Sequence, residues 1–301
     1  MRTEPPVTLV TGAGSGLGLE AALLLGASGR RVYGSVLNQA ERATLLDSSL
    51  SRGAPLTVVE MDVTNEAQVR QTIDQIASEA GLDELVHFAG VGLRGFIEDL
   101  TAEEIRSVFE VNTFGTMHVA RAALPHMRER RSGRILLTTS IAGRMASMSI
   151  GGYASSKFAV EGFAEALHQE MLPFGVYVSL LEPGLIATPH FTVHRNCARR
   201  AVDPASPYYS WFMRHEALVD RILARQSFSA HDVARVVQRA LNARRPRLRY
   251  VVGPKARLVL SLRRYLPGEL FERVYWMLVR KVVVHRKPEA RADHLREISR
   301  E

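Results

Sequence analysis

Residues 7–18 read VTLVTGAGSGLG, and this stretch decides the fold class. Its first part, Val7–Gly12, is a short apolar run typical of a buried strand, and a helix-like stretch follows from Leu17 to Ala27. Glycines between a strand and a helix allow a tight turn, and they let backbone N–H groups approach a pyrophosphate at the helix N-terminus. The turn Thr11–Gly18 therefore predicts a dinucleotide-binding unit, although a Gly-rich turn alone would also fit an ordinary strand–helix connection.

Strand-like and helix-like segments alternate from this turn to about residue 190. The later strand-like segments are residues 31–37, 56–63, 85–90, 134–140 and 176–181, and the later helix-like segments are residues 66–80, 102–130 and 150–172. Such alternation implies right-handed crossovers and a parallel sheet. We predict an α/β fold with a doubly wound parallel (Rossmann) sheet, which binds ligands at the carboxyl ends of its strands.

The chain changes character after this region. The segment Ile186–Phe228 has irregular polarity and several prolines, which favours a long loop with short helices. Ser229 and Asp232 resemble a capping box that begins a helix ending near Asn242.

A last strand and a basic helical region follow. Residues 249–253 read as the strand, residues 255–285 look helical and amphipathic, and residues 288–301 are highly charged. We predict one catalytic domain over residues 1–254 with a substrate-binding lid at 186–228, and a basic amphipathic extension at 255–301.

Composition narrows the protein class. The 301 residues are 46% hydrophobic and 23% charged, which excludes a disordered or fibrous chain. Cys197 is the single cysteine, so no intrachain disulfide forms, and no Cys/His spacing predicts a metal site. The sequence has no signal-peptide pattern at its start and no run of 18 apolar residues. We therefore expect a cytoplasmic protein.

Charge is distributed unevenly along the chain. Residues 1–189 carry 15 Lys/Arg and 21 Asp/Glu, whereas residues 190–301 carry 24 Lys/Arg and 10 Asp/Glu. A basic C-terminal third fits anionic lipid, an acidic partner or phosphate, and equally a solvated Arg-rich surface. No nucleic-acid-reading motif accompanies it, so we expect no nucleic-acid partner.

Four polar residues carry the predicted chemistry. Tyr153 and Lys157 lie four residues apart on a predicted helix, so the ammonium can approach the phenol and lower its pKa. Ser140 ends a predicted strand, where its hydroxyl can reach a substrate oxygen. Asn112 lies inside a predicted helix, where asparagine is unfavourable. Each residue alone also fits an ordinary surface pair or satisfied polar group.

In combination these residues resemble the short-chain dehydrogenase/reductase family, in its shorter branch. The matching positions are Thr11-Gly12, Gly16, Gly18, Asp62-Val63, Ala89-Gly90, Asn112, Ser140, Tyr153, Lys157, Pro183-Gly184 and Thr188. The resemblance covers residues 5–255. The turn Val36-Leu37-Asn38 and the basic C-terminal extension look most like the steroid- and retinol-active members.

The resemblance implies a role for each catalytic position. Tyr153 would act as general acid in reduction and as base in oxidation, and Lys157 would lower its pKa and hold the nicotinamide ribose. Ser140 would polarise the substrate oxygen, and Asn112 would hold a proton-relaying water. The implied cofactor-binding residues are Gly12, Ser15, Gly16, Leu17, Gly18, Leu37, Asp62, Val63, Ala89, Gly90, Tyr153, Lys157, Pro183, Gly184, Ile186 and Thr188.

The sequence departs from the family pattern at the fourth strand, and it leaves the choice between NAD and NADP open. The family usually has Asn-Asn-Ala-Gly where this chain has His87-Phe88-Ala89-Gly90, and we interpret His87 as a packing histidine. NAD-specific members usually end the second strand with an acid, and NADP-specific members carry a basic residue there or in the Gly-rich turn. Leu37 and Ser15 fit neither pattern. The absent acid favours NADP, with NAD left open.

The substrate side of the predicted site is mostly apolar. Its walls are residues 91–97, 143–150 and 185–194, and the predicted substrate-binding residues are Phe96, Ser140, Met145, Met148, Ile150, Tyr153, Leu185 and Phe191. An apolar pocket with few polar groups favours a lipophilic ketone or secondary alcohol, such as a steroid, retinoid or polyketide.

The C-terminal helix pattern allows two readings. Apolar residues recur at helical spacing between Leu270 and Val282 with basic residues interleaved. This pattern fits packing on the domain or a second subunit, and it also fits a peripheral helix on an anionic membrane. The resemblance implies a homodimer or tetramer built on residues 102–130 and 150–172.

Two other function classes compete with the oxidoreductase. A dinucleotide-binding sensor or scaffold without turnover usually lacks the Tyr or the Lys, and both are present as Tyr153 and Lys157. A lyase or epimerase with the same cofactor typically has the extended glycine spacing and a larger C-terminal domain.

Overall fold

Seven parallel strands form the centre of the fold in a computed structural model, which describes residues 4–188, 195–226 and 228–284. The strands are β1 Val7–Thr11, β2 Arg31–Val36, β3 Leu56–Glu60, β4 Glu84–His87, β5 Gly133–Thr138, β6 Val176–Pro183 and β7 Arg249–Val252. They lie in the order β3-β2-β1-β4-β5-β6-β7. The order reverses at β1, and this opens a crevice at its carboxyl end. The predicted doubly wound fold is confirmed.

Helices cover both faces of the sheet. They are α1 Gly16–Ala27, α2 Gln39–Ser51, α3 Glu66–Ala80, α4 Ala102–Phe109, α5 Gly115–Glu129, α6 Gly151–Met171, α7 Tyr209–Ala224, α8 Ala230–Asn242, α9 Pro254–Tyr265 and α10 Gly268–Val283. Apolar residues of α3, α5 and α6 pack on one face, and those of α1, α2 and α8 pack on the other. Each fully buried Leu, Val or Ile contributes about 1.5–3 kcal/mol.

A π-helical turn, Glu110–Phe114, separates α4 from α5. The prediction of one continuous helix over residues 102–130 is therefore wrong in this detail. The Asn112 side chain bonds to the backbone of Val91, and the Thr116 hydroxyl donates to the Asn112 carbonyl at 2.6 Å. These bonds stabilise the widened turn, a feature that often marks functional sites.

Helix α2 was missed because its first residues were interpreted as a turn. The Asn38 side chain accepts the backbone N–H of Glu41 at 3.0 Å and so caps the helix. In both turns and helix N-caps, an asparagine side chain accepts a hydrogen bond from a nearby backbone N–H. The sequence alone therefore did not distinguish a turn from a helix N-cap at Asn38.

Helix α7 replaces the short helices that we expected between residues 186 and 228. It is 16 residues long and buries Phe212, Val219 and Leu223 on one face. The prolines that suggested a loop, Pro204 and Pro207, precede the helix and do not interrupt it. Residues 189–194 and 227 lie outside the described residues.

The C-terminal region forms two helices where one was predicted. Leu266 and Pro267 separate α9 from α10, because proline cannot continue the preceding helix. Phe271 of α10 packs against Met145 and Leu260. None of the helices in the described ranges has the length and apolarity needed to cross a bilayer. Residues 285–301 lie outside the described residues.

Candidate active site

A cleft of about 300 Å³ lies at the carboxyl ends of the strands. Every predicted cofactor-binding residue lines it, from the Gly-rich turn to Thr188. Ser140 also lines it beside Tyr153 and Lys157. The structure therefore brings the predicted cofactor residues and three of the four predicted catalytic residues to one place.

The Gly-rich turn has a geometry that side chains would obstruct. Gly12 and Gly16 have φ of 64° and 54°, in the left-handed region. A Cβ on Gly12 would lie 2.8 Å from the Ala89 nitrogen, and one on Gly18 would lie 2.1 Å from the Gly12 oxygen. The backbone forms a bare cradle just before the N-terminus of α1. This arrangement fits the pyrophosphate of a dinucleotide.

Lys157 is buried on α6 and points toward the end of β5. Its Nζ donates to the carbonyl oxygen of Thr138 at 3.2 Å and lies 5.8 Å from the centroid of the Tyr153 ring. Burial lowers the pKa of Lys157 to about 8. The ammonium and the phenol thus share one side of the cleft.

The pKa of Tyr153 is raised, contrary to the sequence-based expectation. Burial raises it, and this effect outweighs a hydrogen bond with Ser140 and the positive charge of Arg94, which lower it. The phenolate loses its hydration in the cleft, so the neutral phenol is favoured. Without a ligand, Tyr153 is a protonated acid at neutral pH.

Ser140 lies two residues beyond the end of β5, which ends at Thr138. Its hydroxyl accepts the Ala142 N–H at 3.1 Å and lies 3.4 Å from the Pro183 oxygen. These contacts cap the short turn Ile141–Gly143 and hold the hydroxyl at the cleft.

Asn112 is fully buried and does not line the cleft. Its Oδ1 accepts from the Val91 nitrogen at 2.8 Å, and its Nδ2 donates to the Val91 oxygen at 2.9 Å and to Ser156 Oγ at 3.0 Å. The resemblance implied that Asn112 holds a water. In the structure its amide braces the cleft residue Val91 and helix α6.

His87 is a packing histidine, as predicted. It is 1% exposed, its Nδ1 lies 2.8 Å from Thr11 Oγ1, and its Nε2 lies 3.0 Å from Thr116 Oγ1. Because the Thr116 hydroxyl donates to the Asn112 carbonyl, it accepts from Nε2–H, and Thr11 donates to Nδ1. Burial and the charge of Lys157 lower the pKa of His87 to about 3, so it is neutral. It joins β1, β4 and the first turn of α5.

Glu41 lines the cleft beside Leu37. One of its carboxylate oxygens accepts the Leu37 N–H at 2.8 Å, and a Cβ on Gly14 would lie 2.5 Å from its side chain. We favoured NADP because the end of β2 lacks an acid. The structure places the carboxylate of Glu41, from α2, beside that end.

Several predicted substrate-binding residues lie outside the cleft lining. Phe96 stacks on Tyr208 with ring centroids 4.8 Å apart. Met145 does not line the cleft and packs against residues of the two C-terminal helices. The partly buried Met148, Ile150 and Leu185 are also absent from the lining. Phe191 lies outside the described residues.

A buried ion cluster beside the site was missed by sequence reasoning. Arg94 donates to both oxygens of Glu216 at 2.7 and 2.6 Å, and Arg195 Nη1 lies 3.1 Å from Glu216. Burial would raise the pKa of Glu216, but hydrogen bonding from His215 and both guanidinium charges hold it below its usual value. The neighbouring His215 Nδ1 lies 2.8 Å from Ser149 Oγ. No sequence spacing links these residues, since they meet only after folding.

A second buried cluster lies behind Ser140. Glu182 is 0% exposed and lies 3.2 Å from Arg144 and 3.0 Å from Arg249. Glu161 accepts from Thr139 Oγ1 at 2.7 Å and also contacts Arg249. Burial and the charge of Glu161 raise the pKa of Glu182 to about 7. The mostly apolar sequence of β6 gave no reason to expect a buried acid near its end.

Comparisons with known proteins agree with this geometry. The family model for short chain dehydrogenase matches residues 6–197. The chain is 32% identical to 3-ketodihydrosphingosine reductase of Bacteroides thetaiotaomicron, over 89% of this chain and 96% of the relative. It is 32% identical to retinol dehydrogenase 8 of Bos taurus, over 91% of this chain and 90% of the relative. A solved Burkholderia phymatum short chain dehydrogenase/reductase in complex with NAD aligns with a TM-score of 0.76 and 27% identity, over 96% of this chain and 99% of that one.

Proposed function

The chain belongs to the short-chain dehydrogenase family, and on that premise we propose that it interconverts a ketone and a secondary alcohol on a lipophilic substrate, with Tyr153 as general acid and base. It is an NAD(P)-dependent oxidoreductase that acts on alcohol and carbonyl groups. The observation that carries the proposal is the meeting of Ser140, Tyr153 and Lys157 with the Gly-rich turn in one cleft.

The proposed chemistry divides between the cofactor and the chain. The nicotinamide supplies or accepts the hydride. In reduction Tyr153 donates its phenolic proton to the substrate oxygen, and its raised pKa keeps that proton in place at neutral pH. Ser140 donates a hydrogen bond to the same oxygen. Lys157 holds the cofactor ribose and, when charged, stabilises the phenolate.

We propose NAD as the preferred cofactor. A carboxylate at the end of the second strand accepts hydrogen bonds from ribose hydroxyls and repels the 2′-phosphate of NADP. Glu41 has this chemistry and lines the cleft.

The lipophilic substrate class has two supports. Phe96, Tyr208 and Trp211 form an aromatic cluster with ring centroids 4.8–6.3 Å apart on the segments that flank the substrate side. The relatives named above are a sphingoid-ketone reductase and a retinol dehydrogenase. We propose a steroid-, retinoid- or polyketide-like ketone or a comparable long-chain ketone. Turnover of small sugars alone would contradict this class.

We propose residues 1–254 as the catalytic domain, residues 186–228 as its substrate lid and residues 255–301 as a basic extension. The ion pair of Glu216 on α7 with Arg94 supports the lid assignment, because it ties this segment to the loop after β4.

Assembly is proposed on α4, α5 and α6 as a homodimer or tetramer. Phe158 of α6 and Phe114 of the π turn between α4 and α5 are exposed, and large exposed apolar side chains often mark contacts between subunits. Light scattering of the purified protein measures the assembly, and a monomer at micromolar concentration would contradict the proposal.

Peripheral membrane contact is proposed for α9 and α10. Their exposed apolar residues are Leu258, Leu262, Tyr265, Leu270, Val274, Trp276, Met277 and Leu278. Basic residues, including Arg264 and Lys281, are interleaved with them. Co-sedimentation of the full chain with anionic vesicles tests this contact, and a Trp276→Ser/Leu278→Ser variant that sediments equally would contradict it.

Substituting Tyr153 tests the central proposal. Tyr153→Phe removes the proton donor, so we expect ketone turnover to fall by about 10²–10⁴-fold while dinucleotide affinity changes little. Nicotinamide fluorescence measures both binding and turnover with a panel of ketones. A wild-type protein that binds the dinucleotide but turns over none of the panel would indicate the sensor alternative.

A further inference from the structure

A concave surface on the far side of β7, which we call the arginine groove, has a volume of about 640 Å³. Its lining residues are Val236, Arg239, Ala243, Arg245, Arg247, Arg249, Tyr250, Val251 and Arg257. It shares no lining residue with the active-site cleft. No Asp or Glu lines it in the part of the chain that the structure describes.

Arg249 at the base of the groove is already neutralised. Its guanidinium contacts the buried Glu161 and Glu182 and the more exposed Glu165. The charge of Arg249 therefore belongs to the protein interior and leaves the other four arginines to set the potential of the groove.

Those four arginines have no carboxylate partner within the described ranges. Arg239, Arg245 and Arg247 are exposed, and none of them forms an ion pair there. Arg257 donates through Nε to the Val251 oxygen at 3.1 Å, which fixes the guanidinium over β7 and leaves its outer N–H groups available. Like charges repel one another, so their convergence favours an anion between them.

We propose that the arginine groove binds phosphate groups. Guanidinium groups match phosphate oxygens through paired N–H donors, and a phosphate carries more acceptor oxygens and more charge than a carboxylate. The source of this chemistry is either a phospholipid headgroup or a soluble phosphate ester. Arg257 precedes the exposed Leu258 of α9, so a headgroup in the groove would lie near the proposed membrane-facing residues.

Two double variants that remove the same number of arginines distinguish binding in the groove from a general effect of positive charge. The groove variant is Arg245→Gln/Arg247→Gln, and both side chains are exposed, so folding should be retained. Arg239 is left intact because it lies in the last turn of α8, where it also stabilises the helix dipole. The control variant is Arg225→Gln/Arg244→Gln, which removes two exposed arginines that do not line the groove.

Two probes distinguish the sources. Calorimetry measures binding of inorganic pyrophosphate to protein saturated with dinucleotide, so that the Gly-rich turn is occupied. Co-sedimentation measures binding to phosphatidylcholine vesicles with and without phosphatidic acid. For at least one probe we expect the groove variant to bind about 10-fold more weakly than the wild type. The control variant should bind less than about twofold more weakly than the wild type.

Each outcome decides the proposal. Selective loss of pyrophosphate binding supports a soluble phosphate ester, and selective loss of binding to phosphatidic acid vesicles alone supports a lipid headgroup. Equal losses in the two double variants, or no binding of either probe by the wild type, would overturn the proposal. The result is independent of catalysis, since neither variant changes the active-site cleft.

Discussion

Glu41 illustrates how one side chain contributes both to the fold and to the cleft. It lies in the first turn of α2, where its carboxylate accepts the Leu37 N–H. One hydrogen bond leaves most of the acceptor capacity of a carboxylate available. Because Glu41 also lines the cleft beside the Gly-rich turn, we propose that its charge acts where NAD and NADP differ.

We expect the wild type to bind NADH more tightly than NADPH, and Glu41→Gln to reduce this preference. Removing the charge weakens the bond to the ribose and relieves repulsion of the 2′-phosphate. The dissociation constant of NADH should rise by about 10-fold, or about 1.4 kcal/mol. Fluorescence titration with both cofactors measures the ratio. Glu60→Gln, an acid nearby that does not line the cleft, is the control. A wild type that prefers NADPH, with a ratio unchanged in Glu41→Gln, would refute this role.

The predictability of a site residue depends on how local its signal is. Tyr153 and Lys157 were found because both lie on one helix at a fixed spacing, and Ser140 because it ends a predicted strand. Glu41 was missed because its place depends on α2, and the first residues of that helix were interpreted as a turn. The raised pKa of Tyr153 was also not foreseen, since burial depends on the whole cleft and not on the spacing to Lys157.

At the scale of elements, α7 connects to the beginning of the catalytic helix through a strained residue. Ser149 has φ of 62°, unusual for a residue with a side chain, and it lies four residues before Tyr153. Its hydroxyl bonds to His215 of α7, and its carbonyl accepts the Gly95 N–H at 2.8 Å. Such strain persists only where the surroundings hold it. We infer that His215 positions the start of α6.

We predict that His215→Ala lowers kcat by about 10-fold, because Tyr153 loses a fixed position worth about 1.4 kcal/mol. Ser149→Gly in the same background should restore much of the loss, since glycine adopts this φ without strain. Steady-state kinetics of the single and double variants measure the effect. His231→Ala, at an exposed position of α8, is the control. A double variant no better than His215→Ala would exclude this mechanism and leave a purely structural role for His215.

Element boundaries were predictable where a local signal marks them. The capping box of Ser229 and Asp232 predicted the beginning of α8, and amphipathic spacing predicted α3. The π turn was not predictable, because its stabilising partner Val91 is distant in sequence. The length of α7 was underestimated because nearby prolines were given more weight than the spacing of its buried residues.

For the molecule as a whole, the buried acids behind the site make stability depend on pH. Glu182 is inaccessible between Arg144 and Arg249, and its pKa of about 7 exceeds the ordinary value of 4.5. A carboxyl with a raised pKa in the folded state binds its proton more tightly there than in the unfolded chain. Its contribution is therefore fully present below pH 4.5 and is lost as the pH rises through about 7.

Glu182→Gln removes this titration and keeps the shape of the protonated acid. At pH 5 the variant and the wild type should have nearly equal free energies of unfolding, and at pH 8 the variant should be more stable by roughly 1–3 kcal/mol. Urea denaturation at both values measures the difference, and the shared titration of all other groups cancels. Glu165→Gln, at the exposed edge of the same cluster, is the control and should show no comparable change with pH. The difference in free energy of unfolding between the wild type and Glu182→Gln would contradict this prediction if it stayed constant from pH 5 to pH 8. Glu182 would then remain ionised throughout, because its two arginines stabilise the charge more than burial and Glu161 destabilise it.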